Sequence, residues 1–147
     1  MKVGQLNKND KSEWQQLYHG YADFYEMPMN DEILDSVWSW IFDEEIKFYA
    51  IGVKSNEGKL IGFMHFREMP SPLRGSLVGF LDDLYIHPKH RGSGAVQVLF
   101  KELKSIATEN GWPYVRWITA TDNRRARTVY DKISGTIDFV TYQMQTS

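Results

Sequence analysis

The amino-acid sequence predicts a mixed α/β domain, in which a central sheet that is strongly twisted carries helices on its faces. Two observations indicate this class. Strands linked by hairpin-like turns come first, and segments with helical spacing that cross between later strands come second. The predicted order is β-α-α-β-β-β-α-β-α-β. The 147 residues fit a single domain, which we place at residues 1–147.

The first half of the chain is predicted to contain three strands and two helices. Apolar residues recur near helical spacing before and after Met27-Pro-Met, and proline disfavours helix at the residue before it. Further on, β-branched and aromatic residues flank the Gly-containing turn Ser55–Gly58, which is a hairpin signal. The elements are a strand at Met1–Leu6, helices at Asp10–Tyr25 and from Asn30 or Asp31 to about Phe42, and strands at Lys47–Lys54 and Lys59–Arg67.

The second half begins with a loop marked by Pro70, Pro72 and Gly75. Its most convincing helix presents apolar residues on one face and stops at Gly111. The predicted elements are strands at Leu77–Ile86, Tyr114–Thr119 and Phe139–Gln145, and helices at Gly94–Asn110 and Asn123–Ile133.

Composition excludes several classes of function. The formal net charge of −2 argues against a general nucleic-acid binder, and the absence of cysteine excludes disulfides and thiolate metal sites. No apolar run is long enough to span a membrane, and the first residues lack the apolar core of a signal peptide. We therefore expect a soluble cytoplasmic protein. His87 and His90 do not predict a metal site, because Pro88 separates them and no third ligand is evident.

The charges are unevenly distributed along the chain. Residues 21–46 contain eight acidic side chains and no Lys or Arg, whereas residues 87–132 contain nine Lys or Arg against four acids. One reading is two solvated helix faces. The other is a bisubstrate enzyme with a phosphorylated cofactor and an amine substrate.

The turn Arg91-Gly-Ser-Gly94 joins a strand to the long helix. Glycines let a backbone approach a ligand closely, and the N–H groups at a helix N-terminus favour an anion such as a pyrophosphate. Arg91 adds a cation. The third glycine of the dinucleotide fingerprint is missing and no GK[ST] sequence occurs, so the Rossmann and P-loop motifs are both excluded.

This segment resembles the cofactor motif Gln/Arg-x-x-Gly-x-Gly/Ala of the GNAT superfamily of N-acetyltransferases. Arg91 and Gly94 match its first and fourth positions, while Val96 stands where Gly or Ala is usual. A second resemblance lies at Asn123–Gly135, which is similar to the family's Asn-x-x-Ala-x-x-(apolar)-Tyr segment. The order of elements is also that of the GNAT fold.

The resemblance implies acetyl-CoA as cofactor and assigns the site residues. The Leu84 amide would hold the oxyanion and Tyr130 would protonate the departing thiolate. The implied cofactor-binding residues are Leu84, Tyr85, Ile86, Arg91, Gly92, Ser93, Gly94, Ala95, Val96, Asn123 and Tyr130.

An amine must lose a proton before it attacks, and Asp82 and Asp83 are the candidate bases. Adjacent strand residues point to opposite faces, so Asp82 is expected to share a face with Leu84 and Ile86, and Asp83 one with Leu81 and Tyr85. The pair resembles that of spermidine/spermine acetyltransferases, in which the first acid is the base, so we favour Asp82. The alternative for either carboxylate is a structural role in a β-bulge or beside an arginine.

The acceptor is expected to be a primary amine. Carboxylates and aromatic side chains suit a polycation, such as a polyamine, an aminoglycoside-like compound or a basic protein tail. Asp82, Asp83, Tyr25, Glu26 and Trp38 are the candidate substrate-binding residues. Alternatives are another small amine, a longer acyl group, or a non-catalytic acetyl-CoA-binding module. The resemblance to histone/polyamine acetyltransferases further implies a homodimer that pairs through Phe139–Gln145.

Overall fold

A computed structural model describes residues 1–146 of the chain. The residues form two compact units, one from Met1 to Trp117 and one from Ile118 onward. The single-domain interpretation stays a prediction. The first unit contains β1 (Lys2–Gln5), α1 (Lys11–Phe24), α2 (Asp31–Ile41), β2 (Phe48–Lys54), β3 (Leu60–Ser71), β4 (Ser76–Ile86), α3 (Ala95–Glu109) and β5 (Val115–Arg116), and the second contains α4 (Arg124–Ile133).

The five strands form one sheet in the order β1-β2-β3-β4-β5. The first four pair antiparallel in sequence order, and β5 pairs parallel to β4. This mixed sheet confirms the predicted fold class. The turn at Ser55–Gly58 makes the β2–β3 connection as predicted, with Gly58 at a φ of +84°.

The two faces of the sheet carry separate cores. On one face, α3 buries Leu99 and Leu103 against sheet residues such as Phe66 and Leu81. On the other face, Trp14 of α1 and Leu34 of α2 pack on Phe63. Each residue of β4 can therefore be assigned to one face of the sheet by the core that its side chain or its neighbours join. Among residues 1–146, no helix is both long and apolar enough to cross a bilayer.

One predicted strand is absent from the described residues, and the limits of two others are wrong. Residues 139–145 form no strand and are exposed, so the described chain lacks the last β of the predicted order. The strand predicted at Tyr114–Thr119 is reduced to Val115–Arg116, because β5 meets β4 only at Gly79 and Phe80. Conversely, β3 continues through Pro70 to Ser71. Beyond Arg67, β3 pairs only with β4, and proline is tolerated in such an edge-like stretch.

Candidate active site

The last part of β4 presents an open backbone edge. No described strand pairs with it on the side away from β3 between Leu81 and Ile86. The His87 N–H donates to the Ile61 carbonyl at 2.8 Å, and bonded pairs alternate with non-bonded pairs in an antiparallel ladder. Leu84 and Ile86 therefore occupy non-bonded positions, and their peptide groups point away from β3. The Ile86 carbonyl accepts the Arg91 Nε–H at 3.2 Å, which agrees with this orientation.

A β-bulge lies at the aspartate pair. Asp83 is opposite His65 and Leu81 is opposite Phe66, so Asp82 is the extra residue of β4. The bulge resets the alternation of side chains. Leu81, Leu84 and Ile86 all pack in or against the core under α3.

The predicted placement of the two aspartates is therefore wrong in part. Asp82 does not share the face of Leu84 and Ile86, and Asp83 does not share that of Leu81. Instead, both carboxylates line one pocket on the α1 and α2 side of the sheet. A bulge allows this because it places two consecutive side chains opposite one residue of the neighbouring strand.

The pocket has a volume of about 560 Å³ and lies within the first unit. Aromatic and aliphatic side chains from α1, α2 and β2 form part of its wall, and charged side chains of both signs form the rest. Its lining residues are Tyr18, Val37, Trp40, Ile46, Lys47, Phe48, Arg67, Glu68, Asp82 and Asp83.

Asp83 is held by several hydrogen-bond donors. His65 Nδ1 lies 2.8 Å from Asp83 Oδ2, and the Tyr18 hydroxyl donates to the same oxygen at 2.9 Å. Burial alone raises the pKa of Asp83, but the hydrogen bond and electrostatic attraction from His65, together with the bonds from Tyr21 and Tyr18, outweigh burial and lower this pKa below the ordinary carboxyl value. Asp83 is therefore an ionised carboxylate and a weak base.

Asp82 has the opposite electrostatic environment. Burial raises its pKa, and the charge of Asp83 adds to this effect, while the Arg67 guanidinium partly offsets it. Arg67 Nε lies 3.2 Å from Asp82 Oδ2, and the Asp82 side chain is 29% exposed. A carboxylate with a raised pKa and access to the pocket is the better proton acceptor of the pair. The two structural roles considered for it, a bulge and an arginine partner, are both observed.

The glycine turn has the geometry of an anion site. Gly92 and Gly94 have φ values of +78° and +92°, and no described side chain caps the N-terminus of the 15-residue α3. A Cβ at Gly92 would meet nothing within 4 Å, so the turn leaves open space. Arg91 is fixed by the Ile86 carbonyl and by the rings of Phe24 and Tyr85. These features fit the diphosphate of a nucleotide cofactor.

Other predicted residues lie around these features. Tyr25 packs on Tyr21 at the end of α1, and burial and the charge of Asp83 raise its pKa. Glu26 follows it with a φ of +55°. Trp38 packs on Trp14 and does not line the pocket, so its role in substrate binding stays a prediction.

The remaining cofactor residues lie at the start of α3 and on α4. Ser93 is exposed in the glycine turn, Ala95 is buried, and Val96 packs against the core beneath α3. In the second unit, Asn123 Oδ1 accepts the Ala126 N–H and so caps α4. Its contact with the cofactor stays a prediction. Tyr130 is half-buried on α4, and its role as proton donor stays a prediction.

Among the polar residues that line the pocket, sequence reasoning missed Tyr18, Lys47, Arg67 and Glu68. It also missed Trp14 and His65, which lie buried behind Asp83. A signal for His65 was available, because it is a single polar residue in the apolar run Leu60–Phe66. A buried polar side chain needs a partner, and His65 has no exposed surface. The identity of the partners depends on contacts between α1, β3 and β4 that sequence spacing does not reveal.

Comparison with known proteins identifies the family of the chain. The acetyltransferase (GNAT) family model matches residues 14–135. The chain is a GNAT acetyltransferase. The sequence-based identification is thereby confirmed, and the enzyme transfers acetyl to an amine.

Three relatives show how far the similarity extends. The acetyltransferase is 28% identical over 142 residues to the D-amino-acid N-acetyltransferase HPA3 of Saccharomyces cerevisiae, covering 96% of this chain and 88% of that protein. A ribosomal-protein-alanine N-acetyltransferase from Brucella melitensis biovar Abortus matches with a TM-score of 0.79, 25% identity and 99% coverage of both chains. A probable acetyltransferase matches with a TM-score of 0.88 and 23% identity over 100% of this chain and 99% of its own.

Proposed function

We propose that this N-acetyltransferase acylates a small acceptor that carries both an amine and a carboxylate, as an amino acid does. The balance of charge in the pocket carries this proposal. Three carboxylates, Asp82, Asp83 and Glu68, and two cations, Arg67 and Lys47, line the pocket. The Glu68 carboxylate accepts the Trp112 Nε1–H at 2.7 Å, which holds that oxygen toward Trp112. A lining with charges of both signs matches a zwitterion, whereas a polyamine is better matched by carboxylates without neighbouring cations.

Each charged side chain of the pocket can pair with a group of opposite charge on the acceptor. Asp82 and Asp83 attract the ammonium group of the acceptor, and Arg67 offers a planar guanidinium to its carboxylate. Arg67 also lies over the Phe80 ring at 5.1 Å, which limits the orientations of its guanidinium. The acceptor would thus present its nitrogen toward the aspartates.

The similarity to the yeast enzyme supports this acceptor class. That protein is named for acetylation of D-amino acids, and the match to it covers 96% of this chain. We therefore propose amino acids as the class of acceptor for this pocket, in either the D or the L form.

In the proposed mechanism, Asp82 removes a proton from the bound ammonium group. Its raised pKa makes it the more basic carboxylate, while Asp83 remains charged and holds the nitrogen. The outward N–H of Leu84 is available to stabilise negative charge on an acyl oxygen. Tyr130 is the proposed proton donor to the departing thiolate.

The glycine turn and the edge of β4 would hold acetyl-CoA. Arg91, Gly92, Ser93 and Gly94 would bind its diphosphate together with the first N–H groups of α3. The outward peptide groups of Leu84 and Ile86 would bind the amides of its pantetheine arm. When bound, acetyl-CoA supplies an activated acetyl thioester for the neutral amine.

A polycationic acceptor is the second candidate. The eight acids of residues 21–46 favour it, because all eight are exposed, on α1, on α2 or in the segments that follow these helices. None of these eight lines the pocket. A polycation would therefore use them outside the pocket, with one amine reaching Asp82.

An acceptor panel with acetyl-CoA distinguishes the candidates by thiol release. We expect D- or L-amino acids to be acetylated with a higher kcat/KM than their amides, which lack the carboxylate. Arg67→Gln should reduce this preference by about ten- to a hundredfold, since a charge-assisted bidentate contact contributes about 1.5–3 kcal/mol. The matched control is Arg74→Gln, because Arg74 lies on the β3–β4 turn. A preference for spermidine or a lysine peptide over every amino acid would reject the zwitterion proposal.

A further inference from the structure

A buried chain of hydrogen bonds ends at the pocket. The Trp14 indole Nε1–H donates to His65 Nε2 at 2.9 Å, and His65 Nδ1 lies 2.8 Å from Asp83 Oδ2. The Tyr18 hydroxyl meets the same carboxylate oxygen from α1. Trp14 and His65 have no exposed surface, so solvent does not compete for these bonds.

The contact with Trp14 fixes the protonation state of His65. An indole N–H can only donate a hydrogen bond, so Nε2 of His65 must be the unprotonated acceptor. The ring is therefore the neutral tautomer with its proton on Nδ1, and this proton is donated to Asp83. A neutral donor stabilises the carboxylate without cancelling its charge.

We propose that His65 is a positioning residue that acts through Asp83. Held as a neutral donor by Trp14, it fixes the Asp83 carboxylate as a permanent anion that binds the acceptor's ammonium group beside Asp82. This role rests on the proposed function. It also explains why a histidine is buried in β3 with both ring nitrogens engaged.

With His65 as a neutral donor, no buried cation among the described residues compensates the charge of Asp83. Arg67 pairs with Asp82 and is half-exposed, and Lys47 is exposed. The groups facing the two carboxylates are Tyr18, Tyr21 and Tyr25 of α1, Lys47 before β2, and His65, Arg67 and Glu68 of β3. Burial and the Asp83 charge raise the pKa values of Tyr18 and Tyr21, so both remain neutral donors.

The first test is nitrogen NMR of the histidine side chains at neutral pH. Four histidines are present, and the signal that disappears in His65→Asn identifies His65. We expect Nδ1 to carry the proton and Nε2 to be the unprotonated acceptor, as the bond from Trp14 requires. An imidazolium pattern, or a proton on Nε2, would overturn the proposal. This measurement does not depend on any acetyl transfer.

The second test is the pH dependence of acceptor KM. His65→Leu removes a donor to Asp83, so the pKa of Asp83 should rise. The acid limb of the KM profile, which reports ammonium binding by Asp83, should then move to higher pH by about one to two units. KM should rise about tenfold at pH 5 and less than about threefold at pH 8. His65→Asn keeps an N–H near the position of Nδ1 and should restore the wild-type limb. His19→Asn, on the exposed face of α1, is the matched control.

The outcomes separate this inference from the proposed function. If no added amine stimulates thiol release by the wild-type enzyme, the proposed function fails, and the role of His65 in it fails too. If the wild-type enzyme is active but His65→Leu keeps the wild-type acid limb, the inference alone is overturned. Should His65→Leu not fold, Tyr18→Phe removes the second donor from a half-buried site. It should shift the limb in the same direction, and an unchanged limb would again overturn the inference.

Discussion

Asp82 and Asp83 are chemically identical neighbours with opposite pKa shifts. Asp83 faces three hydrogen-bond donors, which lower its pKa, while Asp82 is desolvated beside an anion and pairs with one half-exposed arginine, so its pKa is raised. Their environments therefore give the two carboxylates different roles: Asp83 is a fixed negative charge, and Asp82 is the proposed base. Residue type alone does not determine this division.

Arg67 should therefore control the pH dependence of the base. Its cation lowers the pKa of Asp82, so Arg67→Gln should raise that pKa further. Asp82 accepts a proton only when it is ionised, so activity falls as pH decreases through its pKa. The acid limb of kcat, measured at saturating acceptor, should move to higher pH by about one unit. A limb that stays in place, or moves to lower pH, would contradict Asp82 as the base.

The glycine turn before α3 has room for a side chain at Gly92, but its backbone conformation there disfavours every residue except glycine. A Cβ at Gly92 meets no atom within 4 Å, but its φ of +78° strains any other residue. Gly92→Ala should reduce the free energy of unfolding by about 1–2 kcal/mol and raise the Kd of coenzyme A about tenfold. Calorimetric titration measures the Kd, and chemical denaturation measures the stability.

Gly58 supplies a matched control for this element. It has a φ of +84° and equally open surroundings, but it lies in the β2–β3 turn. Gly58→Ala should cost a similar stability and leave the Kd of coenzyme A unchanged. Equal effects of the two variants on Kd would show that only global stability matters, and the turn would lose its assignment as the diphosphate site.

The packing of α1 on β4 depends on Gly20. A Cβ there would lie 2.5 Å from the Tyr85 hydroxyl, so a neighbour must move. Although alanine favours helix, Gly20→Ala should lower the free energy of unfolding by about 1–3 kcal/mol. The loss should be smaller in a Tyr85→Phe background, as a double-mutant cycle of denaturation curves would show. Gly4→Ala, with no atom within 4 Å, is the control. Additive effects would contradict the contact.

The elements show what the sequence could predict and what it could not. Periodicity and turn residues predicted α1, α2, α3 and the hairpins, because each depends on local signals. The bulge at Asp82 was not predicted, since a bulge exists only relative to the register of β3. His65 was missed for the same reason: its partners come from two other elements. At Phe139–Gln145, β propensity predicted a strand, but a strand also needs a neighbour.

At the scale of the whole molecule, residues 139–145 give the predicted dimer a clear test. Val140, Tyr142 and Met144 are 77%, 89% and 88% exposed and alternate in sequence, so an extended segment would place them on one face. Pairing of this segment with a second copy would cover that face. We therefore expect a concentration-dependent dimer in which the amides of residues 139–145 exchange more slowly with deuterium than in dilute solution.

Single substitutions on the two faces of this segment distinguish specific strand pairing from non-specific hydrophobic association. Val140→Lys places a charge on the apolar face and should weaken the dimer by about tenfold or more, since burying such a side chain contributes about 1.5–3 kcal/mol. Thr141→Lys adds the same charge on the opposite face and should leave the dissociation constant nearly unchanged. Sedimentation equilibrium measures both constants. A wild-type protein that stays monomeric at every concentration, or equal effects of the two lysines, would remove this segment as an interface, because only a paired strand makes adjacent positions differ.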